Sequence, residues 1–420
     1  MQAFRIQGGK SLRGEVAIGG AKNAGLPAMA AALLTQDPVV LSNVPDLDDI
    51  RLMGKILQNL GCEFAFSGGT ATIAAKYIDG NPEYEFVRQM RASICLLGPM
   101  LARMRRVTMP LPGGCVIGQR PIDLHLHGLR KLGCEIFLQN GLIHASAASL
   151  RGTSIFLGGR YGSTVTGTAN ILCAATLAKG TTIIQSASCE PEIVDLCRLL
   201  VAMGAKIDGI GGPTLTIDGV DGLRGASHRL IADRIEFGTF VIAALVTHGS
   251  LSLPDIPWFH QGAFEDILVR SGAIFERSED RIIVRGDRSY LRPMELATLP
   301  FPGFPTDLQA PMCALLTQIN GISVLTERVY PQRFMHVGEL CRMGADIILE
   351  NATSIVKGPS ALSGAPVMAS DLRSGACLCL AALAAKGESI VQRIYHIDRG
   401  YEHLDEKLHR VGAVIERESM

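Results

Sequence analysis

The tripeptide Met343-Gly344-Ala345 decides the fold, because close variants of it recur along the chain. The other copies are Leu60-Gly61-Cys62, Leu132-Gly133-Cys134, Met203-Gly204-Ala205, Ser271-Gly272-Ala273 and Val411-Gly412-Ala413. They recur about every 70 residues, so six similar units fill the chain. Apolar residues with a helical period precede each glycine, and a short β-rich stretch follows it. Each glycine therefore predicts the C-cap of a helix that leads into a strand.

Each unit also contains a second helix, which is rich in small apolar residues. We predict these helices at residues 24–34, 92–102, 168–178, 239–247, 308–318 and 375–385. They are apolar nearly all round, which indicates burial. A β-branched strand follows, as in residues 179–184 and 320–324. The unit thus reads strand, helix, strand, helix, strand, with the helices inside, and six units most simply make two domains of three.

Composition excludes several classes of protein. The 420 residues are 47% hydrophobic, which is typical of a well-packed globular chain, and 40 Lys and Arg balance 40 Asp and Glu. We therefore expect no nucleic-acid partner. Because no apolar run reaches the length of a membrane span and the first residues do not resemble a signal peptide, we expect a cytoplasmic protein. Eleven scattered cysteines without a Cys-x-x-Cys pair favour free thiols over disulfides or zinc, and no nucleotide-loop motif occurs.

Polar residues stand just before the apolar helices in most units. They are Lys22-Asn23, Arg91, the segment Ser163-Thr164-Val165-Thr166, Asp233 to Glu236, Thr306-Asp307 and Asp371-Leu372-Arg373. Helix N-termini favour anions, so converging starts predict an anion site, although each aspartate alone is explained as an N-cap. Cations at Lys22, Arg91 and Arg373 are disfavoured by the helix dipole, which suggests a bound anion that offsets their cost.

Loops add further candidates. Arg120, Arg333 and Arg399 are suited to clamp a small ligand that carries carboxylate and phosphate groups. Cys115 lies in the glycine-rich loop of residues 110–120, where a cationic neighbourhood would lower the pKa of its thiol and make it an acid, base or nucleophile. Asp307 follows Phe304-Pro305-Thr306, a rigid turn that would fix a catalytic base.

Seven motifs, which span the chain end to end, resemble those of the UDP-N-acetylglucosamine 1-carboxyvinyltransferase family. They are Gly20 to Ala24, Met90 to Ser93, Pro112 to Gly118, Arg120 to His125, Phe304 to Asp307, Arg333 to Val337 and Ile397 to Tyr401. The resemblance implies an α/β fold, an inside-out α/β barrel of the enolpyruvyl transferase type, with two domains. It places one domain at residues 22–231 and the other at residues 1–21 plus 232–420, with the active site in the cleft between them.

The resemblance also implies the reaction. Enolpyruvyl would pass from phosphoenolpyruvate to the 3′-hydroxyl of UDP-N-acetylglucosamine through a tetrahedral ketal, with release of phosphate, as the first committed step of peptidoglycan synthesis. No metal and no other cofactor is expected. By similarity Cys115 is the general acid and the thiol that fosfomycin alkylates, Asp307 takes the hydroxyl proton, and Lys22 and Arg399 act beside them in catalysis.

The remaining roles come from the same resemblance. Phosphoenolpyruvate would contact Lys22, Asn23, Arg120, Arg333, Arg373 and Arg399, of which Arg333 and Arg373 hold the carboxylate. UDP-N-acetylglucosamine would contact Asn23, Arg91, Arg120, Pro121, Ile122, Asp123, Leu124, Ser163, Thr164, Val165, Thr166, Asp307 and Val329. Two alternatives stay open: an enzyme like 5-enolpyruvylshikimate 3-phosphate synthase, which shares the chemistry with another acceptor, and a non-catalytic paralogue that binds the nucleotide sugar and regulates a partner. The oligomeric state and the roles of His125 and His336 also stay open.

Overall fold

The structure, a computed structural model, describes residues 2–78, 81–113, 121–254 and 258–419. These residues form two compact units. One, here called the Lys22 unit, comprises residues 20–113 and 121–231; the other, the Asp307 unit, comprises residues 2–19 and 232–419. Most of the predicted Cys115 loop, residues 114–120, lies outside the described residues.

Each unit is built around three buried helices, here called the inner helices. Their bounds are Lys22–Ala31, Leu97–Met104 and Val165–Ala175 in the Lys22 unit, and Arg234–Val246, Gln309–Leu316 and Leu372–Ala384 in the Asp307 unit. Most of their residues are buried on every side, and the helices of the Asp307 unit pack on one another. Small side chains permit this close approach, since a Cβ on Gly238 would collide with Leu308. The prediction of buried inner helices is confirmed, although several begin three to five residues earlier than predicted.

Six amphipathic helices, here called the outer helices, alternate with the inner ones. Their bounds are Asp48–Asn59, Asp123–Lys131, Pro191–Ala202, Ala263–Ser271, Met335–Arg342 and Leu404–Arg410. The six predicted glycines follow these helices, and all have positive φ, from 88° at Gly61 to 110° at Gly272. Only glycine adopts this conformation without strain, and in it the chain leaves the helix toward a strand. The C-cap prediction is therefore confirmed in all six copies.

The strands form sheets that repeat one pattern. Five sheets have four strands, three joined antiparallel and one parallel at an edge. The strands of the Lys22 unit, sheet by sheet, are Ser227–Arg229, Val39–Ser42, Thr70–Ala74 and Glu63–Ser67; Arg106–Pro110, Leu142–Ser146 and Glu135–Gln139; Lys206–Asp208, Thr214–Asp218, Thr181–Gln185 and Ser154–Phe156; and the pair Gly158–Gly159 and Gly162–Ser163.

The Asp307 unit has three such sheets. Their strands are Pro366–Met368, Glu388–Gln392, Gln2–Gln7 and Val414–Ser419; Phe275–Arg277, Arg281–Arg285, Ser250–Pro254 and Arg13–Glu15; and Glu295–Ala297, Gly321–Thr326, Thr353–Gly358 and Asp346–Glu350. The strand Gln2–Gln7 pairs with Glu388–Gln392 and Val414–Ser419, which explains why this unit contains both the first and the last described residues.

Short helical segments complete the chain. They are the α-helical turns Tyr84–Val87 and Tyr395–Asp398 and the 3-10 segments Ala32–Leu34, Arg91–Leu96, Trp258–His260 and Thr306–Leu308. Among the described residues, no helix has both the length and the apolar character needed to cross a membrane. The ten described cysteines are all free thiols, as the sequence predicts.

Candidate active site

The centre of the candidate site in the Asp307 unit is a carboxylate held between two arginines. Asp307 Oδ1 accepts a hydrogen bond from Arg333 Nη1 at 2.8 Å, and its Oδ2 accepts one from Arg373 Nη2 at 2.9 Å. Both arginine side chains are almost fully buried, whereas that of Asp307 is 26% exposed. The structure therefore brings together three of the residues predicted from sequence.

The two arginines control the protonation of Asp307. Burial by itself raises the pKa of the Asp307 carboxyl, but the charges of Arg373 and Arg333 and their hydrogen bonds hold this pKa well below its ordinary value. Burial lowers the pKa of the Arg333 guanidinium, and the charges of Asp307 and Asp371 more than reverse this effect. Asp307 is consequently ionised at neutral pH, and both arginines are charged.

Local sequence explains how Arg373 reaches this position. Asp371 caps the inner helix Leu372–Ala384, since its Oδ1 accepts hydrogen bonds from the backbone N–H groups of Arg373 and Ser374 at 3.0 and 3.2 Å. The Arg373 guanidinium lies 5.2 Å from the centre of the Tyr401 ring, and the Tyr401 hydroxyl contacts Thr239 Oγ1 at 2.9 Å. The aromatic face supports the buried cation.

The aspartates before the inner helices have different structural roles. Asp233 and Asp371 are N-caps, which is the simple explanation considered for them from sequence. Asp307 makes no cap: the cap residues around its 3-10 turn and the following helix form no side-chain cap hydrogen bond. Its carboxylate faces the arginines instead. This separates a catalytic candidate from two structural aspartates that look alike in sequence.

The cations at helix starts also have partners within the protein. Lys22 Nζ lies 3.1 Å from Asp49 Oδ2, and both side chains are nearly buried. Arg373 has Asp307. In this structure the carboxylates that offset these charges therefore belong to the chain itself, so the helix-dipole argument for a bound anion does not stand alone. Asn23, half-buried, follows Lys22 in the same helix.

Unpaired buried polar atoms provide the stronger indication of a ligand. Within the described ranges, Arg333 Nε, both Nε and Nη1 of Arg373, and His336 Nε2 are buried without a hydrogen-bond partner. Buried polar atoms are rarely left unpaired, and each one costs free energy. Burial lowers the pKa of His336 to about 4, so this imidazole is neutral at physiological pH. Unpaired guanidinium N–H groups beside Asp307 are suited to a small anion.

The Lys22 unit carries most of the residues predicted for the nucleotide sugar; of the others, Asp307 and Val329 lie in the Asp307 unit and Arg120 lies outside the described residues. Asp123 and Leu124 begin an outer helix and line a cavity of about 650 Å³ together with His127, Lys131, Ser154, Phe156, Gly158 and Gln185. Ser163 pairs with Gly158 across a short ladder, so the segment 163–166 begins beside this cavity. Thr164 caps the next inner helix through its hydroxyl, which accepts from the Gly167 N–H at 3.2 Å. Pro121 is exposed, Ile122 is buried, and Arg91 begins the 3-10 segment Arg91–Leu96.

The His125 ring is held by polar groups of the protein itself. Its ring nitrogens lie 3.2 Å from Thr166 Oγ1 and 3.0 Å from Asn170 Nδ2, and Asn170 Nδ2 also lies 3.0 Å from the carbonyl of Ile94. His125 thereby joins the helix that begins at Asp123 to the segment 163–166. This connection was not predicted.

The other predicted residues are distributed as follows. Val329 donates its backbone N–H to Glu327 Oε1 at 2.7 Å, and Arg399 follows the short helix Tyr395–Asp398 in the Asp307 unit, half-buried. Cys115 and Arg120 lie outside the described residues, so their placement stays a prediction. Sequence reasoning missed Asp49, Glu327 and Tyr401. Their signal was weak, because a carboxylate in the first turn of a helix, a carboxylate after a strand or a tyrosine in a turn has many ordinary explanations.

Comparison with known proteins agrees with this arrangement. A model of the EPSP synthase (3-phosphoshikimate 1-carboxyvinyltransferase) family matches residues 6–408. UDP-N-acetylglucosamine 1-carboxyvinyltransferases from Methylacidiphilum infernorum and Akkermansia muciniphila are 49% and 47% identical to this chain, over 99% of both sequences in each case. The chain belongs to the UDP-N-acetylglucosamine 1-carboxyvinyltransferase family.

Solved structures confirm the fold class. The enolpyruvyl transferase NikO from Streptomyces tendae superposes with a TM-score of 0.91 at 25% identity, covering 100% of this chain and 99% of NikO. EPSP synthase from Acinetobacter baumannii superposes with a TM-score of 0.75 at 17% identity over the whole of both chains, a likeness that concerns the fold alone. The fold predicted from the sequence, an inside-out α/β barrel of the enolpyruvyl transferase type, is therefore confirmed.

Proposed function

We propose that this protein is an enzyme that transfers the enolpyruvyl group of phosphoenolpyruvate to the 3′-hydroxyl of UDP-N-acetylglucosamine and releases phosphate. Membership of the family, at close to half identity over the full length, supports the reaction. The observation that carries it in the structure is the buried pair Arg333 and Arg373, whose unpaired N–H groups lie beside Asp307. Planar guanidinium groups match a carboxylate, and phosphoenolpyruvate has one.

The proposed chemistry has two stages. In the addition, the 3′-oxygen bonds to C2 of phosphoenolpyruvate, the hydroxyl proton passes to a base, and the methylene carbon gains a proton from an acid. In the elimination, the bond between C2 and the phosphate oxygen breaks, phosphate leaves with that electron pair, and the methyl group loses a proton. Asp307 is the proposed base, and Cys115 is the proposed acid. Lys22, Arg120 and Arg399 would stabilise the phosphate, with Asn23 beside them.

Asp307 needs a higher proton affinity to serve as the base. With both arginines on it, the pKa of its carboxyl lies well below the ordinary range, so it holds a proton poorly. A phosphoenolpyruvate carboxylate on the free arginine N–H groups would add a second negative charge beside Asp307. Like charges disfavour ionisation, so the bound substrate would raise the pKa of Asp307. The base would thereby become effective when its substrate is in place.

The nucleotide sugar is the proposed acceptor. Asp123, Leu124 and Ser163 lie at or beside the cavity in the Lys22 unit, and small-molecule ligands bind in such clefts. We assign it the further contacts expected from sequence: Asn23, Arg91, Arg120, Pro121, Ile122, Thr164, Val165, Thr166, Asp307 and Val329. The product would enter peptidoglycan synthesis. Because both substrates are highly charged and do not cross membranes unaided, we propose that the reaction takes place in the cytoplasm.

The choice of acceptor tests this proposal. Phosphate release from phosphoenolpyruvate is measured with UDP-N-acetylglucosamine or with shikimate 3-phosphate, without added metal and with or without fosfomycin. Release with the nucleotide sugar alone, abolished by fosfomycin in the wild type, is the expected result. Release with shikimate 3-phosphate would favour the EPSP synthase alternative. If neither acceptor gives phosphate release, but the protein still binds UDP-N-acetylglucosamine, the regulatory paralogue would be favoured.

A further inference from the structure

Glu327 is a buried carboxylate that no part of the proposed reaction uses. It directly follows the strand Gly321–Thr326 and is 1% exposed. Its Oε1 accepts hydrogen bonds from Thr298 Oγ1 at 2.6 Å and from the backbone N–H groups of Val329 and Tyr330 at 2.7 and 2.8 Å. Its Oε2 accepts one from Thr306 Oγ1 at 2.8 Å. A carboxylate this deeply buried is costly unless it is fully hydrogen-bonded, and here four neutral donors surround it.

The Thr306 hydroxyl connects Glu327 to Arg333. A hydroxyl has one hydrogen, and here it is donated to Glu327. The lone pairs of Thr306 Oγ1 therefore remain for Arg333 Nη1, which lies 3.1 Å away. The same Nη1 donates to the Thr306 carbonyl at 3.1 Å and to Asp307 at 2.8 Å. Glu327 thus determines the direction of the hydroxyl that receives the arginine.

Glu327 also holds the backbone that leads to Arg333. The turn Val329–Tyr330 is fixed by its two hydrogen bonds to Oε1, and the Arg333 N–H donates to the Tyr330 carbonyl at 2.9 Å. One carboxylate therefore fixes Arg333 both through its main chain and through the group that its guanidinium contacts. Precise positions of charged groups matter because small displacements reduce substrate binding and turnover strongly.

We infer that Glu327 is a positioning residue that sets Arg333, through the Thr306 hydroxyl, to receive the carboxylate of phosphoenolpyruvate. The inference rests on the proposed function, since it assigns a substrate group to Arg333. Glu327 itself touches no reacting atom.

The substitution Glu327→Gln isolates this role. Glutamine has the same shape, and its oxygen can keep the three donors at Oε1. Its NH₂ group then faces Thr306, so the hydroxyl must accept that hydrogen bond, its own hydrogen loses the Glu327 acceptor, and its lone pairs are shared between two donors, of which Arg333 is one. The opposite orientation of the amide would set its NH₂ against three donors and is disfavoured. We expect KM for phosphoenolpyruvate to rise about tenfold, the cost of one hydrogen bond to a charged group, with KM for UDP-N-acetylglucosamine nearly unchanged.

Two further variants distinguish positioning from general support of the fold. Thr306→Val removes the connecting hydroxyl, so adding Glu327→Gln to it should raise KM for phosphoenolpyruvate no further. Thr298→Val removes a donor on the Oε1 side only, so it should lower the melting temperature and leave this KM as in the wild type. The inference would be overturned if the double variant raised KM for phosphoenolpyruvate by the product of the two single effects. It would also be overturned if Glu327→Gln alone had a KM for phosphoenolpyruvate within twofold of the wild-type value.

Calorimetric titration with phosphoenolpyruvate keeps this test separate from that of the proposed function. Turnover is followed as phosphate release in the presence of UDP-N-acetylglucosamine. If the wild type does not turn over, the proposed reaction fails, and the Kd of phosphoenolpyruvate decides the role of Glu327. About tenfold weaker binding in Glu327→Gln supports the inference. Equal binding in the two proteins, or none in the wild type, contradicts it.

Discussion

At the scale of single residues, Arg373 shows why charge alone does not define this site. Its guanidinium contacts Asp307, lies over the Tyr401 ring and keeps two N atoms unpaired within the described part of the chain. A lysine at this position would keep the charge but lose the planar fork of donors. Arg373→Lys should therefore raise KM for phosphoenolpyruvate by at least about tenfold in steady-state kinetics.

An exposed arginine provides the control for Arg373. Arg342 forms an ion pair with Glu339 on the surface of an outer helix, and its side chain is 58% exposed. Arg342→Lys should leave KM for both substrates unchanged, because exposed pairs contribute little. Arg373→Lys with a wild-type KM for phosphoenolpyruvate would argue against a carboxylate at Arg373.

His336 predicts a pH dependence of stability. Burial is the main reason why the pKa of its imidazole is lowered from 6.5 to about 4. The charge of Arg333 lowers this pKa as well, whereas the charge of Asp371 raises it. Between these pH values the unfolded chain binds a proton that the folded chain does not, so stability rises with pH. The free energy of unfolding should gain about 3 kcal/mol from this group between pH 4 and pH 6.5.

Denaturant unfolding of the wild type and of His336→Gln checks this prediction. The difference in unfolding free energy between the two proteins should change across pH 4 to 6.5 and stay constant above that window. His403→Gln is the control, since His403 is 59% exposed. Parallel curves for wild type and His336→Gln would show that His336 does not titrate as the structure implies.

The sequence predicted single residues unevenly. Asp307 and Arg373 could be proposed because charged groups occur at repeated places before apolar helices, and Arg333 because it is a loop arginine suited to clamp an anion; the structure brings the three together. Glu327 and Tyr401 could not be found in this way. Glu327 meets Thr306 across 21 residues of chain and Tyr401 meets Thr239 across 162, and no spacing rule connects these side chains.

At the scale of elements, the glycine caps are the strongest link between sequence and fold. Gly344 has φ of 99° after the outer helix Met335–Arg342. Other residues are strained in this conformation, so Gly344→Ala should lower the free energy of unfolding by about 1–2 kcal/mol.

Gly338 in the same helix is the matched control. It has ordinary helical φ, and a Cβ there would meet no atom within 4 Å. Gly338→Ala should stabilise the protein by about 0.5–1 kcal/mol, because alanine favours the helix. Urea denaturation of both variants tests the pair, and equal effects of the same sign would contradict the cap assignment.

Helix bounds were predicted less well than helix existence. The apolar period of the fourth inner helix suggested a start at Thr239, whereas the helix begins at Arg234 after its Asp233 cap. Its first turn carries Arg234 and Glu236, and the latter is buried because it pairs with Lys407 and accepts the Gly19 N–H. Polar residues that find partners through tertiary contacts interrupt an apolar pattern without interrupting a helix.

At the scale of the whole molecule, repetition predicted most of the architecture. Six glycine caps and six apolar helices are enough to predict three repeated units in each half, and the recurring four-stranded sheets agree. We propose that the domains are those expected from sequence, residues 22–231 and residues 1–21 with 232–420. The proposed site residues are divided between the Lys22 unit and the Asp307 unit, so no short segment could reveal the complete site.

The central claim is enolpyruvyl transfer, and the bond that breaks in phosphoenolpyruvate tests it most directly. Phosphoenolpyruvate is labelled with ¹⁸O in the oxygen that joins carbon to phosphorus and is turned over with UDP-N-acetylglucosamine, and mass spectrometry then locates the label. We predict that the label leaves in inorganic phosphate. The ether oxygen of the product is then the unlabelled 3′-oxygen of the nucleotide sugar. Label in pyruvate, with an unchanged nucleotide sugar, would show cleavage between phosphorus and oxygen and would contradict the account.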